Sequence, residues 1–212
     1  MTFKGEIKDM TNFIEKNRTA IRKHHLEENY IQDSEEIIFS PNQKWRIMKR
    51  AYKQNIEEYN WIISKLEIHD DHDKLRQTIF IDHQQFLHKF ISLGNTDYLI
   101  FSEVLCGGNS TLNLDSFELF SFSDGSNGFI CAEYYFSPDQ QRLAAFGCFW
   151  ACPYFIKIFD TTNIECLPWP CVDEIHLKED GEINVEWLAD REILFKEFMG
   201  SKEVQSQKIA IK

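Results

Sequence analysis

The chain has 212 residues, 43% of them hydrophobic and 14% aromatic, which excludes the disordered class and allows a core without disulfide or metal staples. Its formal net charge of −11, from 34 acidic and 23 basic side chains, argues against a nucleic-acid partner and favours a basic protein partner. No run of about 18 apolar residues could cross a bilayer, so we expect no membrane segment.

The N-terminal region predicts an amphipathic helix. Asn12 and Glu15 fit a capping box, and apolar residues recur near a 3.6-residue period as far as Leu26. We expect the helix to end by Asn29 and to lay its apolar stripe on a β body or on a partner.

The pattern changes to that of β-strands after residue 35, which divides the chain into a helical cap (1–34) and a β meander domain (35–212). A short strand is predicted at 36–39, and the Ser-Pro-Asn-Gln turn that begins at Ser40 follows it. Strands are predicted next at 44–52 and 59–69.

The same order of features returns about 97 residues later. The segment Phe136-Ser-Pro-Asp-Gln140 repeats Phe39-Ser-Pro-Asn-Gln43 almost letter for letter, and two strands follow it at 142–150 and 154–160. The first of these two strands is apolar on both faces, which predicts a central strand buried between two layers. A repeated turn and strand pair is typical of a meander such as a propeller blade.

Further strands are predicted between and after the two copies. Turns rich in glycine, at Gly107–Ser110 and at 124–128, separate some of them, and a C-terminal hairpin covers 183–198. Segment 84–93 fits a helical turn as well as a strand. We therefore predict a mostly β fold of about three blade-like units, either a partial propeller or two packed sheets, with the N-terminal helix as a cap.

The sequence from Phe136 to Tyr154 resembles a group of uncharacterised bacterial proteins. Their shared block reads Ser-Pro-Asp-Gly-x-x-Leu-Ala, then Gly-Cys-x-Trp-Ala-Cys-Pro-Tyr, and it matches this chain from Ser137 to Tyr154. This chain departs from the block at Gln140, where glycine is common, and at Phe146, where aspartate often precedes Gly-Cys. The resemblance covers roughly residues 36–170 and implies an incomplete propeller-like fold without assigning an activity.

The six cysteines are predicted to be reduced. They occur among Phe-rich apolar strands rather than in a short secreted chain, and the N-terminus has no secretory signal, so we expect a cytoplasmic protein. Cys148 and Cys152 have a spacing that zinc can use, with Cys166 and Cys171 as a second pair. Core cysteines are the favoured interpretation, and no metal or other cofactor is predicted.

The other polar strings have ordinary structural explanations. The string from His69 to Asp73 combines two histidines with three aspartates, but its position predicts a solvated hairpin turn. His83 and His88 could supply a catalytic base, yet they fit polar positions of the ambiguous segment better. No catalytic residue is predicted, because no nucleophile elbow or paired-carboxylate pattern is present.

Three aromatic residues are the predicted binding residues: Trp150, Tyr154 and Trp169. They lie near prolines at the ends of buried strands, where loops and aromatic side chains commonly meet partners. The alternative is that they close the core beneath a loop.

The sequence favours a non-enzymatic module that binds a basic protein partner. Its specific form is an immunity protein that neutralises a cognate bacterial toxin, because the chain is small, acidic and free of a catalytic signature. A hydrolase whose site is assembled from separate strands is one alternative. A structural module of a larger assembly is another, and it predicts an exposed apolar helix stripe at 10–26.

Overall fold

The computed structural model describes residues 16–25, 27–56, 59–105, 107–123, 128–149, 153–177 and 182–211. These residues form fifteen strands in four antiparallel sheets, and each sheet is a meander whose strands are neighbours in chain order. No helix of the described residues is long and apolar enough to span a membrane.

The sheets follow one another along the chain, and we name them A to D. Sheet A holds β1 (Glu36–Phe39), β2 (Trp45–Ile56), β3 (Tyr59–Asp70) and β4 (Leu75–Ile81); sheet B holds β5 (His88–Leu93), β6 (Thr96–Ser102), β7 (Gly108–Asn113) and β8 (Leu119–Ser123); sheet C holds β9 (Ile130–Phe136), β10 (Arg142–Cys148), β11 (Tyr154–Asp160) and β12 (Cys171–His176); sheet D holds β13 (Glu182–Ala189), β14 (Glu192–Met199) and β15 (Lys202–Ala210).

Three apolar clusters join the sheets face to face. Alternate residues of a strand point to opposite faces, so in β6 Leu99 packs toward sheet A while Tyr98 packs toward sheet C. In the same way Ala145 of β10 faces sheet B and Ala144 faces sheet D. Central strands are therefore apolar on both faces, which confirms the prediction for β10, where all but one residue are buried.

The repeated Ser-Pro turns form the β1–β2 and β9–β10 hairpins with the same geometry. The Ser40 hydroxyl donates to Asn42 Oδ1 at 2.8 Å, and the Ser137 hydroxyl donates to Asp139 Oδ1 at 2.6 Å. The glutamine that ends each turn has a positive φ, of 58° at Gln43 and 60° at Gln140. Glycine adopts this conformation at lower cost than glutamine does.

The N-terminal segment lies against sheets A and B. Residues 16–22 are helical, and Glu27–Asn29 form a 3₁₀ turn, so the helix ends before Asn29 as predicted. Ile21 is buried, and the His25 ring contacts Tyr52 and Phe80 of sheet A. The predicted capping box and Leu26 lie outside the described residues.

Two predictions about the strands are wrong. The described residues hold four sheets rather than about three units. Of the two arrangements that the sequence left open, a partial propeller or two packed sheets, their face-to-face packing is that of propeller blades. The predicted turn at Gly107–Ser110 is largely strand β7, whose Gly-Asn-Ser-Thr sequence resembles a loop. The sheets form an open stack, because the apolar clusters join A to B, B to C and C to D only, within the described part of the chain.

Candidate functional site

A long hairpin projects from sheet A. Strands β2 and β3 each have twelve residues, whereas β1 pairs only with residues 46–49 of β2 and β4 only with residues 64–69 of β3. Trp61 lies on the projecting part, opposite Gln54, and remains 42% exposed. Trp61 belongs to none of the three apolar clusters, although Tyr52 and Ile63 of the same extension are buried.

A groove lies at the base of this hairpin. It has a volume of about 270 Å³ and is lined by Trp61, Ile62, His83, Gln84, Gln85 and Leu105. The lining residues come from β3, the β4–β5 connection and the loop after β6, so two sheets contribute. An exposed tryptophan beside an apolar groove is typical of protein-binding surfaces, because indole rings contribute strongly to binding energy.

His83 is the unusual residue of this groove. Only 5% of it is exposed, and neither ring nitrogen makes a hydrogen bond to the described residues. Burial lowers the pKa of His83 to about 4, although the nearby main-chain groups of Gln85 and Ser102 oppose this shift. At neutral pH the imidazole is therefore uncharged, with one donor and one acceptor nitrogen to offer.

Asp82 fixes the elements around the groove. Its carboxylate accepts hydrogen bonds from the Leu105 main-chain N–H at 3.0 Å and from the Asn17 side-chain amide at 3.0 Å. Its main-chain carbonyl accepts a hydrogen bond from the Trp61 indole N–H. Burial raises the pKa of Asp82, and the nearby charge of Glu103 raises it further, although the two hydrogen-bond donors oppose this.

Glu103 forms a second buried anchor. Its side chain is 2% exposed, and it forms an ion pair with Arg18, whose Nη2 lies 2.8 Å from Oε2. The hydroxyls of Ser110 and Ser121 also donate to Glu103, at 2.8 and 3.2 Å. Both carboxylates near the groove are thus held by several donors, which suits a role in fixing the N-terminal helix to sheets A and B.

A second cavity, of about 200 Å³, lies where the hairpin turns of three sheets meet. Asp97 of sheet B accepts hydrogen bonds there from Asn42 and Trp45 of sheet A, at 2.9 and 3.4 Å. Gln140 of sheet C accepts one from the Ser92 N–H at 2.9 Å. Because these polar groups already satisfy one another, we interpret this cavity as a joint between sheets.

The predicted aromatic residues do not all lie together. Tyr154 stacks on Phe146 on the face of sheet C that meets sheet D. Trp169 is 4% exposed, packs in the cluster between sheets B and C, and donates to the Ile164 carbonyl at 3.0 Å. Trp150 lies outside the described residues, so its place beside either ring stays a prediction.

The other predicted polar strings are also placed by the structure. The string that begins at His69 lies at the β3–β4 turn, where Asp70 accepts main-chain hydrogen bonds from His72 and Lys74. No group of three or more potential metal ligands occurs among the described residues. Cys148 is buried as predicted, but Cys166 and Cys171 are exposed, so these two are not core residues.

Sequence reasoning did not identify the groove. His83 and His88 were predicted as polar members of an ambiguous segment, whereas His83 is buried and His88 begins β5. Two features of the sequence point to the groove. Trp61 is a tryptophan on the outward face of a strand, and His83 comes just after the apolar end of β4, a strand that was not predicted.

The comparisons with known proteins support the fold. No family model matches the chain, and no curated protein matches it. A solved structure titled dihydro-heme d1 dehydrogenase NirN in complex with DHE is similar, with a TM-score of 0.54 and 12% identity. The match covers 85% of this chain and 39% of that one, so this chain spans well under half of its structural relative. At this identity the likeness shows a β-propeller-like fold, and it says nothing about activity.

Proposed function

We propose that this protein is a non-enzymatic module that binds a protein partner, and that a peptide segment of the partner docks in the groove beneath Trp61. The observation that carries this proposal is the combination of an exposed indole with a buried histidine that lacks hydrogen bonds to the described residues. A buried polar group without partners is costly, so a ligand that supplies them gains affinity.

The two side chains suit different parts of a peptide. Trp61 offers apolar area with few rotatable bonds, which favours packing against an aliphatic or aromatic side chain. The uncharged imidazole of His83 can donate to a peptide carbonyl or accept from a peptide N–H. Gln84 and Gln85 extend the polar floor of the groove.

The charge of the chain favours a basic partner. With a net charge of −11, long-range attraction accelerates encounter with a positively charged protein and weakens as salt rises. A cognate bacterial toxin is the partner class that we favour, with this chain as its immunity protein in the cytoplasm. The same charge disfavours nucleic acid as the ligand.

Capture from cells followed by direct titration tests the proposal. We expect the purified chain to bind a basic protein with an affinity that decreases as salt increases. Trp61→Ala should weaken binding roughly 30-fold, which corresponds to about 2 kcal/mol for an anchor residue. Leu75→Ala, at an exposed residue of β4 away from the groove, is the matched control and should bind normally.

Two outcomes contradict parts of the proposal. Equal affinity of Trp61→Ala and the unchanged chain would remove the groove from the interface. If the captured protein is harmless when it is expressed without this chain, the immunity role fails even though binding stands.

A hydrolase with a site assembled from separate strands stays an alternative proposal. The titratable groups nearest the groove are Asp82, His83 and Glu103, and both carboxylates are occupied by hydrogen-bond donors. This arrangement favours binding over proton transfer. The alternative of a structural module requires an exposed apolar helix stripe, but Ile21, which belongs to that stripe, is buried.

A further inference from the structure

The projecting part of the β2–β3 hairpin has one covered edge and one open edge. On the β2 side, Ala51 accepts the Ile31 main-chain N–H at 3.0 Å, and its own N–H donates to the Ser34 hydroxyl at 3.1 Å. The N-terminal segment therefore lies along the β2 edge. On the other side the ladder between β3 and β4 stops at Ser64, so residues 59–63 have no neighbouring strand there among the described residues.

The main-chain groups of Ile62 point out of this open edge. In an antiparallel sheet the N–H and C=O groups of successive residues point to opposite neighbours, so every second residue of β3 faces β4. Asp70 is one of them, because its N–H donates to Lys74 and its carbonyl accepts from Asp73 in the β3–β4 turn. The register between β2 and β3 has no shift, so the alternation runs unbroken from Asp70 to Ile62. The main-chain groups of Trp61 accordingly face β2.

The groove beneath Trp61 follows the open edge. Trp61 and Ile62 are adjacent in β3, so their side chains leave from opposite faces of the sheet, yet both line the groove. One groove can be lined by both only where it runs along the edge between the two faces. That edge is the β4 side, because His83 lines the same groove and the Trp61 indole N–H donates to the Asp82 carbonyl, just after β4.

The chemistry of the edge specifies its ligand. Residues 59–63 read Tyr-Asn-Trp-Ile-Ile and hold none of the charges or prolines that usually keep a strand edge from pairing. An N–H and a C=O side by side at such an edge are complementary to the backbone of an extended peptide. His83, buried and without hydrogen bonds to the described residues, adds one donor and one acceptor where β4 stops.

We propose that the partner adds an extended segment to β3 at this edge, as a further strand of sheet A that continues the line of β4. This rests on the proposed function, because it names the form in which the partner docks in the groove. A second copy of the chain fits poorly, since its own edge lies in the same groove beside its own β4–β5 connection. Two chains of net charge −11 also repel each other, whereas a basic segment is attracted.

A synthetic peptide tests strand addition without the natural partner. The probe is acetyl-Lys-Val-Lys-Val-Lys-Val-Lys-amide, which is basic and favours the extended conformation. Its control carries N-methyl groups on the central valine and on the lysine that follows it. Because successive residues point to opposite edges of a strand, the two methyl groups block both edges while every side chain and charge is kept.

Residue-resolved hydrogen exchange reads out the pairing. We expect the Ile62 amide to exchange fast in the free chain and to slow roughly tenfold at a probe concentration about ten times its Kd. The Trp61 amide, which faces β2, should be protected throughout. The N-methylated control should leave the Ile62 amide unchanged.

Ile62→Pro and Ile62→Val separate main-chain pairing from side-chain contacts. Proline removes an N–H that β2 does not use, so an edge position tolerates it, whereas valine keeps the N–H and a branched side chain. Ile62→Pro should weaken probe binding roughly tenfold and Ile62→Val less than about twofold, both with the far-ultraviolet spectrum of the unchanged chain. If Ile62→Pro does not fold, hydrogen exchange with the two peptides decides.

Four results would overturn strand addition: an Ile62 amide that is already slow in the free chain, no protection by the probe, equal protection by the N-methylated control, or a folded Ile62→Pro that binds the probe normally. A doubled mass of the free chain with a slow Ile62 amide would assign the edge to a second copy instead. The proposed function survives each of these results if Trp61→Ala still weakens the captured basic protein, so the two proposals fail separately.

Discussion

Acidification should destabilise this protein through His83. The imidazole has a pKa of about 4 in the folded chain, against 6.5 for an exposed histidine. The unfolded chain therefore binds a proton below about pH 6.5 while the folded chain does not, and stability falls as the pH decreases through this window. The two pKa values imply a loss of about 2 kcal/mol at about pH 5 and about 3 kcal/mol at about pH 4.

Urea unfolding at about pH 7 and about pH 5 measures this loss, and His83→Gln isolates it. The pKa values of His25 and His88 are also lowered by burial. Their destabilising effect at low pH is the same in the unchanged chain and in His83→Gln, so it cancels when the two are compared. Asp82 acts in the opposite direction, since its raised pKa favours the folded state as acid is added. His83→Gln should therefore lose about 2 kcal/mol less than the unchanged chain between these pH values.

The control is His72→Gln, because the side chain of His72 is 87% exposed at a hairpin turn. It should follow the unchanged chain at both pH values. If His83→Gln loses as much stability as the unchanged chain does, the histidine is not buried in the uncharged form, and the chemistry assigned to the groove is wrong.

Four further substitutions test how the sheets are held. Gly147→Ala places a Cβ about 2.0 Å from the Ile130 carbonyl oxygen, so we expect thermal unfolding to show a free energy of unfolding lower by about 3 kcal/mol or more. The control is Gly94→Ala, whose Cβ meets no atom within 4 Å. Because Gly94 has a φ of 62°, this variant should still lose about 1 kcal/mol. Arg18→Ala leaves the Glu103 carboxylate buried without its cation and should lose about 3 kcal/mol or more by urea unfolding, and a milder effect would mean that water reaches Glu103. Gln140→Gly gains stability by relief of its positive φ but loses the hydrogen bond to Ser92. Its free energy of unfolding in urea should therefore stay within about 1 kcal/mol of that of the unchanged chain.

The sequence predicted those hairpins whose turns have distinctive chemistry. Ser40 and Ser137 begin turns in which a hydroxyl, an Asx side chain and a proline all favour one geometry, so local residues alone specify them. Sheet B has no such turn, since its β5–β6 connection is built around Gly94. It was therefore not recognised as a unit, and the number of sheets was underestimated.

Strand β7 and the groove could not be predicted for a different reason. Ser110 and Thr111 are fully buried, and the Ser110 hydroxyl is satisfied by Glu103, which reaches it from the loop after β6. The burial of the Ser110 hydroxyl costs less because of this partner, and pairings between distant residues leave no periodic pattern in the sequence. The burial of His83 depends in the same way on the contact between sheets A and B.

The N-terminal helix and the groove depend on each other through two adjacent residues. Asn17 holds the Asp82 carboxylate, which in turn holds the Leu105 N–H at the groove wall. Arg18 holds Glu103, two residues before Leu105 in the same loop. Detachment of the helix would take the Asn17 amide from Asp82 and the Arg18 cation from Glu103, which would weaken both supports of the loop that carries Leu105. Under the proposed function the helix therefore supports the binding surface as well as capping the sheets, because its contacts help to fix the shape of the groove.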